Sequence, residues 1–495
     1  LHYFYFLLVS LFCIPVVAQA GPHAPKREMR AVWIATVGNI DWPSKPGLSA
    51  QQQQQEFLNQ LNFFQKSGFN TVVVQVRPAA DAFYPSPYEP WSKYLTGKQG
   101  QPPFPKYDPL EFMINETHKR NMEFHAWFNP YRALVSSSSN PNPPGHATRE
   151  HPDWIINYDG KSYFDPGNPD AREYILKVIL DVVRRYDIDA VHIDDYFYPY
   201  PAGGRPFPDR ASYNRYNNGQ SLEDWRRGNV NLFISQLNTN IKKEKAWVKF
   251  GVSPFGIWRN QKDDPEGSAT RGSSCYDDLY SDILLWIERK WVDYVAPQLY
   301  WEHGHRVAPY DVLLPWWKQH SGQRQLYIGL GVYRMLNATA SPWNSPNEIL
   351  KQIRAARQAG TDGFIFYSSS SFSKIRLGLT DSLQQNYFGS IAIPPAMPWL
   401  DHTAPAAPVL MASGANGGVL LQWEGNTKAQ QRYLIYRFDE DEKIDLSDAG
   451  QIIALTRNNS FLDKEGGRSF RYVVTALDRL WNESAPSNTA TAATP

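Results

Sequence analysis

The run Val191-His192-Ile193-Asp194-Asp195-Tyr196-Phe197-Tyr198-Pro199 ends an otherwise apolar stretch on two adjacent carboxylates. A carboxyl group in such surroundings needs a partner or a task, because burying it unpaired is costly. If the stretch is a strand, alternation puts His192 and Asp194 on one face and leaves Asp195 at the rim. A second acid, Glu302, follows Ala296-Pro297-Gln298-Leu299-Tyr300-Trp301, where Gln298, Tyr300 and Glu302 share a face by period two. Two carboxyl groups from different strands facing one groove are what glycosidic cleavage uses. One protonates the leaving oxygen while the other attacks or stabilises the anomeric carbon. The competing readings are structural: the Asp pair caps loop amides or holds Arg205 or Arg210, and Glu302 pairs with Arg306 or Arg334.

Polar and aromatic residues cluster at the same strand ends. Gln75 and Arg77 end one apolar run, and His125, Trp127, Asn129 and Arg132 come from the next. Their donors suit sugar hydroxyls, and a cation among them would keep a nucleophilic carboxylate ionised. Trp258, Tyr300, Trp301, Tyr333 and Tyr367 offer rings for stacking on sugar faces, with packing as the alternative for each. His303-Gly304-His305 has a spacing seen in metal hydrolases, and Asp194, Asp195 or His192 could complete such a site. The other strand ends supply few further histidines, so neither a metal nor another cofactor is expected. There is no G-x-S-x-G elbow and no His in the loop of Cys275, which argues against covalent acyl chemistry.

These residues need a scaffold that gathers strand ends on one side. Eight apolar, β-branched or aromatic runs read as strands: 30–37, 70–76, 123–129, 190–195, 248–254, 294–300, 325–331 and 363–367. Helical patterns separate them. Asp108-Pro109 and Asn168-Pro169 are N-terminal caps with Pro at the first helical position, and Ser345-Pro346-Asn347-Glu348 reads as a capping box on a helix that stops at Gly360. Strands apolar on both faces and joined by helices predict a parallel sheet, and eight units predict a (β/α)8 barrel over residues 27–390. Long Pro-, Gly- and Asn-rich loops follow the third, fourth and fifth strands, so a deep groove is expected on that rim. Residues 391–408 carry five prolines and read as a linker, and 409–490 are β-patterned like a small sandwich.

With 50 Lys plus Arg against 49 Asp plus Glu, the net charge of +1 provides no field to draw polyanions, and no nucleic-acid partner is expected. Hydrophobic residues at 42% exclude a disordered chain. The aromatic share of 14% fits either a large core or a ring-lined sugar groove. Phe4 to Ala18 is apolar and Ala18-Gln19-Ala20 precedes Gly21, which reads as a secretory signal over residues 1–20. The expectation is an exported protein of the periplasm or cell envelope, soluble after cleavage, with Cys275 its only remaining thiol and no further membrane span. The residues before Cys13 disfavour a lipid anchor.

Several motifs, in order, resemble the glycosyl hydrolase-like family 10 over about residues 27–390. They are Arg30-Ala31-Val32-Trp33-Ile34-Ala35-Thr36 with Asn39-Ile40-Asp41-Trp42-Pro43, Gln75-Val76-Arg77-Pro78, His125-Ala126-Trp127-Phe128-Asn129-Pro130-Tyr131-Arg132, and His192 through Pro199. The resemblance implies a bacterial, exported barrel glycosidase acting on a polysaccharide, namely peptidoglycan glycan strands stripped of their peptides. By analogy with barrel glycosidases, it implies that Asp194 attacks, helped by Asp195, and that Glu302 donates the proton. Residues 433–437 and 472–478, followed by Asn482-Glu483-Ser484-Ala485-Pro486-Ser487, resemble a fibronectin type III module. The rival functions are a non-catalytic glycan binder and a metal-dependent deacetylase or amidohydrolase using His303 and His305.

Overall fold

The computed structural model describes residues 24–136, 142–336, 338–375, 377–424, 431–467 and 469–492. The expected signal, residues 1–20, lies outside them. Eight parallel strands close into a barrel: β1 (Met29–Ile34), β2 (Thr71–Arg77), β3 (Glu123–Phe128), β4 (Ala190–Ile193), β5 (Lys249–Val252), β6 (Tyr294–Val295), β7 (Gln325–Leu330) and β8 (Gly363–Phe366). Each pairs with its sequence neighbours, and β8 returns to β1 through Met29–Gly363 to Val32–Phe366. The crossovers carry α1 (Ala50–Lys66), α2 (Pro109–Lys119), α3 (Pro169–Arg185), α4 (Leu222–Glu244), α5 (Ile283–Glu288), α6 (Tyr310–His320), α7 (Asn347–Gln358) and α8 (Leu379–Asn386). The fold is therefore a (β/α)8 barrel.

The caps follow the sequence for α2 and α3, where the Asp108 and Asn168 side chains accept from the first-turn amides. The capping box expected on α7 does not form. Glu348 turns instead to the loop after β6, where its Oε1 accepts from the backbone N and Nδ1 of His303 at 2.9 and 2.7 Å. A buried carboxylate satisfied by an imidazole and an amide outcompetes a solvent-exposed cap.

Two apolar layers flank the barrel wall. One lies between strands and helices; the other fills the interior with Met29, Ala31, Trp33, Val73, Trp127, Tyr294, Tyr327 and Ile365. Gly251 on β5 makes room for Tyr294, since a Cβ there would overlap the ring. The Pro-rich segment is part of this core and no free spacer. Ile393 bridges Arg27, Met397 is fully buried in the interior cluster, and Gln325 donates to the Ala396 carbonyl at 2.9 Å. It caps the barrel base, the end opposite the C-termini of the strands.

Seven further strands follow in two antiparallel sheets: β9 (Val409–Ala415), β10 (Gly418–Glu424), β11 (Arg432–Asp439), β12 (Ile452–Thr456), β13 (Ser460–Asp463), β14 (Phe470–Leu477) and β15 (Ala490–Thr491). The orders are β9-β10-β13 and β12-β11-β14-β15. Leu410, Leu421 and Trp423 of one sheet pack on Tyr433, Ile435 and Val474 of the other. The outer face of the four-stranded sheet (Leu434, Tyr436, Val473) packs with Trp481 on Ile393 at the barrel base.

Candidate active site

β4 ends at Ile193, and Asp194 and Asp195 follow at the rim, 4% and 5% exposed. Asp194 is oriented by a relay from three strands. The amides of Thr36 and Val37, after β1, donate to Gln75 Oε1 at 3.0 and 2.9 Å, so the Gln75 side-chain nitrogen must face Asn129 Oδ1. That fixes the Asn129 side chain in turn, and its Nδ2 donates to Asp194 Oδ2 at 2.5 Å. The Tyr196 amide faces Asp194 Oδ1 at 3.4 Å. Both oxygens of Asp194 thus meet N–H donors. Asp195 has a different partner: its Oδ2 is bonded to the Tyr200 hydroxyl, and the Gln298 amide also faces it.

Burial, and then the charge of Asp195, push Asp194 up to about 7, with Arg132 and Asn129 working the other way. Burial also raises Asp195 against the pull of Tyr200 and Gln298. Two like charges so close in a dry site do not both ionise readily, and the pair keeps one proton near neutrality. An acid and a carboxylate therefore stand side by side.

They open into a cavity of about 400 Å3. Its walls include the expected Gln75, Trp127, Arg132, Gln298, Tyr300, Trp301, Tyr333 and Tyr367, together with Trp33, Tyr196, Tyr200, Ser253, Phe255 and Arg334. Trp33 was legible as the third interior position of β1 after Met29 and Ala31. Ser253 and Phe255 carry no signal in the sequence beyond their position after β5. Tyr200 sits in the Tyr-rich run after Asp195.

Other expected site residues are placed elsewhere. Arg77 is fully buried on Glu89, with Nη2 at 2.5 Å and Nε at 2.8 Å from its oxygens, and donates to the carbonyls of Asn129 and Pro130. It shapes the loop that carries Asn129 and does not face the cavity. Asn129 acts through Asp194. Trp258 stacks on Trp316 with ring centroids 5.8 Å apart. Glu302 is outside the cavity lining, and its Oε2 accepts from Trp343 Nε1 at 3.1 Å. Parallel bridging continues to Gln298, and the period-two face holds through Gln298 and Tyr300; it breaks at Glu302, where the chain leaves the sheet and turns, with His305 N donating to the Glu302 carbonyl at 3.3 Å. His303 is held by Glu348, and His305 Nδ1 accepts from the amide of Ala308 at 3.2 Å.

His125 and His192 lie in the barrel interior, beneath the cavity. Trp33 Nε1, which can only donate, meets His192 Nε2 at 3.2 Å, so that nitrogen is an acceptor and the proton sits on Nδ1. His192 Nδ1 donates to the Tyr294 hydroxyl at 2.9 Å, the hydroxyl donates to His125 Nδ1 at 2.9 Å, and His125 Nε2 donates to Glu123 Oε2 at 2.9 Å. Ser253 Oγ completes the upper end, 2.9 Å from His192 Nε2. One polarised chain thus runs from the barrel base to the cavity floor. Burial drives His192 well below the usual histidine range, which keeps it neutral.

The family model for glycosyl hydrolase-like 10 matches residues 28–345. The chain is 46% identical to glycosyl hydrolase YngK of Bacillus subtilis (strain 168), over 98% of this chain and 97% of that protein. It is 41% identical to glycosyl hydrolase DigH of Escherichia coli (strain K12), over 65% of this chain and 78% of that protein. Among solved structures, the PgaB (BpsB) glycoside hydrolase domain of Bordetella bronchiseptica aligns with a TM-score of 0.48 at 13% identity, covering 74% of this chain and 100% of that one.

Proposed function

The chain belongs to the glycosyl hydrolase-like 10 family and is a glycoside hydrolase, and from that premise we propose that it is exported and cuts peptide-stripped peptidoglycan strands with Asp194 and Asp195. The observation that carries this reading is the buried Asp pair at the floor of a ring-walled cavity on the rim where barrel enzymes keep their chemistry. Proton transfer from the pair to the glycosidic oxygen makes it a neutral leaving group. The carboxylate left behind stabilises the positive charge that develops on the sugar.

The walls support a glycan as the occupant. Trp33, Trp127 and Tyr300 offer flat apolar surface, and Gln75 and Gln298 offer amides to hydroxyls. Arg132 and Arg334 bring the cavity its cations. Removing the peptides from peptidoglycan frees the lactyl carboxylates of the glycan, and a cationic wall favours that charged, stripped strand over the amide-linked one.

Mass analysis of products after incubation with purified, peptide-free strands tests the proposal. Shorter saccharides from the wild type, lost in Asp195→Asn, are expected. Intact strands that have only lost acetyl groups, or that are bound without being cut, would refute it.

A further inference from the structure

Within the cavity the acids are Asp194 and Asp195 alone among the described residues, and every Asp and Glu of the chain is a described residue. Of the neighbouring acids, Glu302 accepts at Oε2 from Trp343, and Asp41 accepts from the amides of Ala35 and Ser370 and the hydroxyl of Ser368. Cleavage by two protein carboxylates needs them on opposite faces of the sugar, about 5–5.5 Å apart for attack or about 6.5–9.5 Å apart around a water. Asp194 and Asp195 both follow β4 and so enter the cavity from the same strand end. Among the described residues no further carboxylate lines the cavity to attack the anomeric carbon or to activate water there.

A 2-acetamido sugar brings its own nucleophile. We propose that the substrate's acetamido group attacks the anomeric carbon, with Asp194 receiving the amide N–H and Asp195 serving as the acid. This rests on the glycan reading above and deepens it. The amide oxygen forms a bond to C1 as the C1–O glycosidic bond breaks, and the leaving oxygen takes the Asp195 proton. The positive charge spreads over the resulting oxazolinium ring, whose N–H points to the Asp194 carboxylate. Water then adds to C1 while Asp195 takes its proton, the ring opens to restore the acetamido group, and the product keeps its anomeric configuration. The hydrogen bonds select these roles. N–H donors face both oxygens of Asp194 and favour its carboxylate, whereas the Tyr200 hydroxyl beside Asp195 can accept as well as donate and so tolerates a protonated neighbour.

The test uses the full chain with peptide-free glycan strands, the same strands after chemical N-deacetylation, and the thiazoline derived from N-acetylglucosamine, a stable mimic of the ring intermediate. Expected are a loss of at least 100-fold in turnover on deacetylated strands, retention of configuration by NMR, and micromolar or tighter binding of the thiazoline by calorimetry, weakened at least tenfold in Asp194→Asn. Asp195→Asn should recover turnover on an aryl glycoside whose leaving group needs no proton, while Asp194→Asn should not. Equal cleavage of acetylated and deacetylated strands, or inversion, would overturn the inference and leave the substrate reading intact. Failure to cut either strand would overturn the substrate reading. Thiazoline binding, which needs no turnover, would then decide the inference: tight binding that depends on Asp194 supports it, and absence of binding overturns it.

Discussion

The indole N–H of Trp481, in the C-terminal β unit, donates at 2.6 Å to Oε1 of Glu123, the first residue of β3. Glu123 also receives the buried ammonium of Lys249 and the Nε2 proton of His125. Burial opposes its charge, but Lys249 and then His125 outweigh that and hold it at about 2. The base of the barrel is therefore finished by the appended unit. Glu123→Gln strands the Lys249 charge and should cost about 3–5 kcal/mol. Trp481→Phe removes one hydrogen bond to a charged group and should cost about 1.5–3 kcal/mol. Denaturant unfolding measures both, and because the two units share this cluster, the wild type should unfold in one transition. Separate transitions for barrel and β unit would contradict the shared core.

The hydrogen-bond chain above Glu123 has one allowed direction, set by the donor-only Trp33 indole at its top and the carboxylate at its base. His192 should therefore be neutral with its proton on Nδ1, and should stay so well below the pH at which an exposed histidine charges. Nitrogen-15 NMR of labelled histidines reads the tautomer directly. A protonated Nε2 would break the chain as drawn.

Glu302 separates what alternation implies from what the fold builds. Gln keeps an acceptor for the Trp343 indole, so Glu302→Gln should retain at least about a third of wild-type turnover on glycan strands, against a loss of about 100-fold or more in Asp195→Asn. Comparable losses in the two variants would return Glu302 to the chemistry.

The barrel was legible because each of its eight strands is a contiguous apolar run, and the Asp pair because it ends one of them. What was not legible depended on side-chain partners that only the folded chain reveals. Arg77 and His125 look like ligands in sequence, yet their neighbours in space, Glu89 and Glu123, turn them into scaffolding. Glu302 falls outside the cavity lining because period two, which holds through Gln298 and Tyr300, was extended into the turn that begins at residue 302. Met397 reads as part of a proline-rich spacer, and only the closed barrel gives it an interior to fill.

The price of holding a carboxyl pair in a dry site should be visible in stability. Asp194 has an ordinary value of 3.8 and is pushed up to about 7 in the fold, by burial and then by Asp195. A raised carboxyl value means that folding takes up a proton, so stability is full below the unfolded value and falls as pH rises through roughly 4 to 7. Asn at this position cannot charge and still accepts from Asn129. Asp194→Asn should therefore melt higher than the wild type at pH 8, with the gap narrowing towards pH 4, while turnover on glycan strands falls at least 100-fold. In the wild type, turnover should peak where the pair carries one proton and decline above pH 7 as that proton is lost. Thermal melts of both proteins from pH 4 to 8, alongside a pH–rate profile, check the two halves together. A melting gap that does not change with pH would mean that Asp194 carries no such penalty.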